Sequence, residues 1–129
     1  MNRRFELYGR LRSFRHAGHG VLLTLKSQHN AWIHTLVTMA VIAGGFFYSL
    51  SRAEWCLIVL AAAAVWTAEA LNTALEFLAD AAVAEFHPTV GRAKDVAAGG
   101  VLLSALGAAI VGVLVFGPHL LAWLGAMRP

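Results

Sequence analysis

The chain has 129 residues, a formal net charge of +3, 59% hydrophobic residues and only 13% charged ones. Soluble domains carry about 25% charged residues, so this composition, with a mean hydropathy of +0.67, excludes an ordinary water-soluble domain and a disordered chain alike. A single cysteine, Cys56, excludes an internal disulfide framework and a Cys-rich metal centre.

Residues 1–26 read as an amphipathic surface helix, centred on Phe5–Leu25. Phe5, Leu7, Leu11, Phe14 and Leu22 supply apolar area, and Arg3, Arg4, Arg10, Arg12 and Arg15 supply charge. Such a segment lies in the headgroup layer and is drawn to anionic lipid. It does not read as a secretory signal, because Val21–Leu25 is too short an apolar core. Three stretches nearly free of charge follow. About 20 apolar residues cross a hydrocarbon core, so membrane spans are expected at 31–50, 54–80 and 96–116. A short turn, Ser49 to Arg52, joins the first two. Phe86-His87-Pro88 closes the second, since proline disfavours helix at the residue before it. Gly117-Pro118 is expected to end the third.

Placing the N-terminus in the cytoplasm puts Arg3, Arg4, Arg10, Arg12, Arg15, Lys26, Arg92 and Lys94 on the inner side. Only Arg52 and Arg128 fall outside. That asymmetry obeys the positive-inside rule. It also accounts for the basic charge without nucleic acid, for which no motif is present.

The second span carries acidic residues where hydrocarbon is expected. Glu69, Asn72, Glu76 and Asp80 fall at about 0°, −60°, −20° and +20° around a helix, so all four share one narrow face. Charge in that setting costs roughly 2.5–3.5 kcal/mol or more and is usually functional. Hard oxygen ligands suit Mg²⁺, which binds through one or two carboxylates plus substrate phosphates. Desolvation strengthens a base, as abstraction of a lipid hydroxyl proton requires. Lys94-Asp95, at the start of the third span, puts a cation on the same side, where it can neutralise a transferring phosphate. His29 and His34 are too scattered for a metal cluster and read as interfacial or interhelical polar groups. Gly100, Ser104, Ala108 and Gly112 form a small-residue stripe suited to close helix packing. Trp55 and Trp123 read as interfacial anchors and Trp66 as packing.

The segment Glu69-Ala70-Leu71-Asn72-Thr73-Ala74-Leu75-Glu76, with Asp80, resembles the signature of the small bacterial integral-membrane diacylglycerol kinase family. Glu85-Phe86-His87-Pro88 and Gly91-Arg92-Ala93-Lys94-Asp95-Val96-Ala97-Ala98-Gly99 resemble its next block. Ser13-Phe14-Arg15-His16-Ala17 and Ser51-Arg52-Ala53-Glu54-Trp55 are similar to its undecaprenol kinase branch. The likeness covers roughly residues 10–116. It implies an all-α membrane protein, a surface helix followed by three transmembrane helices, forming one lipid kinase domain over residues 1–129. It further implies a homotrimer in the bacterial inner membrane, with active sites shared between subunits. The implied reaction moves the γ-phosphoryl of MgATP onto a lipid alcohol, diacylglycerol or undecaprenol, without a P-loop. By matching position, Glu69 resembles the general base and Asn72 a residue that positions reacting groups. Glu76 resembles a Mg²⁺ ligand. Lys94 and Asp95, with Glu85 and His87, resemble the nucleotide site, and Asp80 a support beside it. Gln28 stands where many members carry a second metal-binding glutamate, so an amide oxygen replaces a charged ligand. The alternative reading from the residues alone is a small ion- or proton-coupled transporter or channel subunit, with Glu69 as the ion site.

Overall fold

Three interruptions cut the described chain, residues 7–83, 85 and 87–127 of this computed structural model, into four helices. They are α1 (Leu7–Ser27), α2 (His29–Phe47), α3 (Arg52–Ala82) and α4 (Pro88–Ala126). Arg3, Arg4, Phe5, Phe86 and Arg128, used in the sequence reading, lie outside the described residues.

The first interruption is one residue wide. Gln28 is extended (φ −109°, ψ 123°). Its N–H still donates to the Thr24 carbonyl, and its own carbonyl accepts from the Ala31 N–H. The chain therefore changes direction between α1 and α2 without a loop. Gln28 stands at the N-cap of α2 but makes no side-chain cap, which leaves its amide for another partner.

The second interruption is closed at both rims. Ser49 adopts the left-handed region (φ 53°). The Ser49 N–H donates to the Phe46 carbonyl and the Leu50 N–H to the Gly45 carbonyl, a paired closure that satisfies the last carbonyls of α2. Ser51 then caps α3 reciprocally with Glu54. The Ser51 N–H donates to Glu54 Oε2 at 2.7 Å, and the Glu54 N–H to Ser51 Oγ at 3.4 Å. At the third interruption His87 is the N-cap and Pro88 the first helical residue of α4.

α3 packs chiefly along α4, with α1 and α2 set against it more lightly. The apolar core gathers at the α2–α3 turn: Leu50, Ile58 and Val115, flanked by Val41, Tyr48, Trp55, Val111 and Phe116. Elsewhere the helices show their large apolar side chains outward, the reverse of a soluble bundle and the arrangement a hydrocarbon solvent favours. α2, α3 and α4 are each long and apolar enough to cross a bilayer.

Two expectations change. α4 does not stop at Gly117-Pro118 but runs through Pro118 to Ala126. Proline removes one backbone bond and would ordinarily break an interior turn. Here contacts on both sides hold the helix in line: Tyr48 against Phe116 (6.2 Å) and His119 (5.7 Å), Phe47 against Trp123 (6.5 Å), and Glu54 Oε1 against His119 Nε2 (2.8 Å). α4 also begins at Pro88, so Lys94 and Asp95 lie about two turns inside it rather than at its start. Within one chain, a methyl added at Gly100 or Gly112 would meet nothing within 4 Å. The close glycine approaches are on α2 instead, where a Gly45 Cβ would fall 2.6 Å from Trp55 Cη2 and a Gly44 Cβ 3.3 Å from Phe116 Cε1.

Candidate active site

Three polar pairings cross from Gln28 and the first half of α2 to the stretch of α3 from Trp66 to Glu76, and together they form an antiparallel ladder. The first rung joins Gln28 to Glu76, with the Gln28 Nε2 amide donating to Glu76 Oε2. The second sets His34 Nε2 3.8 Å from Glu69 Oε2. In the third, Trp66 Nε1–H donates to Thr38 Oγ1 at 3.2 Å. At about 1.5 Å of rise per residue, Glu69 lies roughly 10 Å before Glu76 along α3, and Trp66 about 15 Å before it. The interval of seven residues is nearly two whole turns, which is why one face of α3 serves both carboxylates.

The rungs differ in how well they are satisfied. Asn72 Nδ2 donates to Glu76 Oε1 at 3.0 Å, so each Glu76 oxygen holds one amide. Glu69 is 1% exposed and Asn72 7%. Yet both Glu69 carboxylate oxygens, Asn72 Oδ1 and His34 Nε2 are buried without a hydrogen-bond partner. Buried polar atoms are nearly always paired, and exceptions call for a functional account. Thr73, also buried, donates its hydroxyl to the Glu69 carbonyl at 2.8 Å, a local bond within α3 that leaves the carboxylate untouched.

A second set lies where α3 meets α4. Lys94 Nζ and Asp80 Oδ1 form an ion pair at 2.5 Å. Asp80 thus leaves the company of the other three stripe residues: its side chain leans toward α4, which returns beside the end of α3. Asp95 is exposed on α4, and Glu85 is exposed in the α3–α4 connection. His87 Nδ1 accepts from the Thr89 N–H at 3.3 Å, so one ring nitrogen is engaged in starting α4. The structure therefore gathers Gln28, Glu69, Asn72 and Glu76 on one side of α3, and Asp80 with Lys94 on another.

The ladder suits a hard cation. Among the described residues, no three His, Cys, Asp or Glu side chains converge on a metal site. An ion here would draw on one carboxylate, Glu76, with the unpartnered Asn72 Oδ1 and the Gln28 amide oxygen. Mg²⁺ accepts such a set because it keeps several waters and completes its shell with substrate phosphate.

His34 and Thr38 are members of the ladder that the sequence leaves as generic polar groups.

Residues 15–116 match the prokaryotic diacylglycerol kinase family. The chain is 38% identical over 117 residues to the undecaprenol kinase of Bacillus subtilis, covering 91% of this chain and 95% of that protein. It is 40% identical over 111 residues to a diacylglycerol kinase of Synechocystis sp., covering 85% of this chain and 63% of that protein. A polar ladder between two membrane-length apolar helices accords with a kinase whose acceptor is dissolved in the bilayer: the chain belongs to the prokaryotic diacylglycerol kinase family and is a lipid kinase.

Proposed function

We propose that this kinase transfers the γ-phosphoryl group of ATP to the hydroxyl of undecaprenol, with diacylglycerol as the alternative acceptor, at the cytoplasmic face of the bacterial inner membrane. The observation that carries the proposal is Glu69: a carboxylate 1% exposed, with both oxygens unpartnered, two turns from a carboxylate held by two amides. The order of acceptors follows the Bacillus subtilis undecaprenol kinase, of which the chain covers 95%.

Phosphoryl transfer asks a protein mainly for positioning and charge neutralisation. Glu69 takes the proton from the lipid hydroxyl as that oxygen bonds to the γ-phosphorus, and the bond to the β–γ bridging oxygen breaks to release ADP. Its burial keeps water, a competing acceptor, away from the base. Asn72 and Gln28 fix the Glu76 carboxylate through one amide each. Lys94, steered by Asp80, sets its ammonium against the phosphates, with Asp95, Glu85 and His87 about the nucleotide on the same side. Glu76, Asn72 Oδ1 and Gln28 Oε1 would hold Mg²⁺. When bound, the ion supplies charge neutralisation on the triphosphate. The amphipathic α1 roofs the site and steers lipid access, with the N-terminus cytoplasmic. Three copies assemble with their sites shared between neighbours.

The test is a transfer assay with purified protein in mixed micelles, offering undecaprenol, diacylglycerol and ceramide side by side with γ-labelled ATP. Label on undecaprenol above the other two supports the assignment. Label on diacylglycerol alone moves the acceptor, and Mg²⁺-independent hydrolysis without lipid labelling rejects the mechanism. Glu69→Gln should cut labelling by about 10²–10⁴-fold while leaving nucleotide binding intact; full activity in that variant removes the base from Glu69.

A further inference from the structure

We infer that His34 is a positioning residue for the base: its Nε2–H orients the Glu69 carboxylate so that one oxygen is presented to the lipid hydroxyl. The inference rests on Glu69 being the base.

Two orphaned groups face each other across the α2–α3 seam. Glu69 brings two acceptor oxygens and no donor, and His34 brings a ring nitrogen. Their separation, 3.8 Å, exceeds the 2.7–3.2 Å of a hydrogen bond between such groups by only about half an ångström. Neither side has another partner at those atoms. A carboxylate in an apolar span without a donor is poorly held in angle as well as poorly solvated, so its oxygens would swing about the last side-chain bond. A donor on the neighbouring helix removes that freedom at one oxygen and leaves the other for the substrate.

The imidazole is itself braced. Its ring stands edge-on to the indole of Trp66 at 6.3 Å and 70°. The Trp66 N–H is tied back to Thr38 Oγ1, one turn beyond His34 on the same helix. Thr38, Trp66, His34 and Glu69 thus form a chain running from α2 to α3 and back to α2 and α3 again. No motif assignment includes His34 or its brace. A mere packing histidine would not need its Nε2 turned onto a buried, unpartnered acid.

The experiment compares His34→Gln, which keeps a side-chain donor, with His34→Met, which has similar length and none. Both are measured for kcat and for the KM of ATP in the micelle assay, alone and on a Glu69→Gln background. His34→Met should lower kcat by about ten- to a hundredfold, with the ATP KM unchanged. His34→Gln should recover most of the loss. On the Glu69→Gln background, His34→Met should change the residual rate by less than about twofold, because residues acting as one unit do not add. A full kcat in His34→Met while Glu69→Gln is inactive overturns the inference and spares the base. An active Glu69→Gln overturns both. An undiminished second loss on the Glu69→Gln background, or a loss confined to the ATP KM, shows packing and overturns the inference. Should His34→Met lose its helical circular dichroism, His34→Leu takes its place in the same comparison.

Discussion

The two ends of the helix bundle are built on opposite principles. At the α2–α3 turn the polar groups are paired off: Ser51 with Glu54 in both directions, Glu54 with His119, and the last carbonyls of α2 with the backbone of Ser49 and Leu50. Around them close Phe46, Phe47, Tyr48, Trp55, Phe116 and Trp123. Along the α2–α3 ladder, four side-chain atoms stay buried and unpaired. Proteins tolerate such local inconsistency where chemistry requires it and compensate elsewhere. The turn end is therefore read as the fastening, and the ladder as the site whose instability it offsets.

That contrast can be broken most sharply at Glu69. In Glu69→Gln, kcat should fall by about 10²–10⁴-fold, the span expected for loss of a general base. The melting temperature in detergent should hold or rise, because a neutral amide replaces an unpaired carboxylate. A variant that lost stability along with turnover would make Glu69 part of the fastening.

At the other end the mirror-image result is expected. Gly45→Ala places a methyl 2.6 Å from Trp55 Cη2, so the ring must move off Gly45 and Phe46. Overpacking of this kind costs about 1–3 kcal/mol. Thermal unfolding should show that loss, while kcat for the folded fraction and the ATP KM stay as in the parent. A fall in kcat would mean that the two ends are not separable.

Gln28→Glu sharpens the comparison inside the ladder. It turns an amide donor on Glu76 into a second carboxylate, raising the negative charge available to a divalent ion. The Mg²⁺ concentration for half-maximal rate should drop by about tenfold, since ligand charge sets affinity for hard cations. Without Mg²⁺ the same variant should unfold more readily, because two carboxylates then face each other. A magnesium titration of rate, paired with melting in chelator, reads both effects.

The four-helix plan was legible in the chain because its causes are local. Charge-free length marks the spans, and the short turn from Ser49 to Arg52 divides the first two. Glu69, Asn72 and Glu76 were legible because seven residues make two turns. Three things were not. Pro118 reads as a stop, and only contacts with Tyr48, Phe47 and Glu54 from other helices carry α4 past it. Asp80 shares the stripe by angle, yet its side chain is captured by Lys94, 14 residues on, a partner that depends on the path of the α3–α4 connection. His34 depends on the register of α2 against α3, which the one-residue break at Gln28 sets and periodicity does not reveal.

The smallest effect is expected at Ser49, and it tests whether the turn end acts as fastening alone. Ser49 sits at φ 53°, where a side chain crowds the following carbonyl at a cost of about 1–2 kcal/mol. Glycine relieves that crowding but brings extra freedom in the unfolded chain worth about 0.5–1 kcal/mol, so the net gain in Ser49→Gly should be a few tenths to about 1 kcal/mol. The two backbone bonds that close α2, from Ser49 to Phe46 and from Leu50 to Gly45, need no side chain at this position and should persist. Melting in detergent should rise slightly, and kcat, the ATP KM and the magnesium requirement should not change. Ser49 and Glu69 are separated by the whole first half of α3, about 25 Å at helical rise, and no rung of the ladder reaches the turn. A rise in stability with unchanged turnover is the behaviour of a fastening. A shift in turnover from a methylene and hydroxyl so far away would show that strain at the turn is transmitted along α3 to the base.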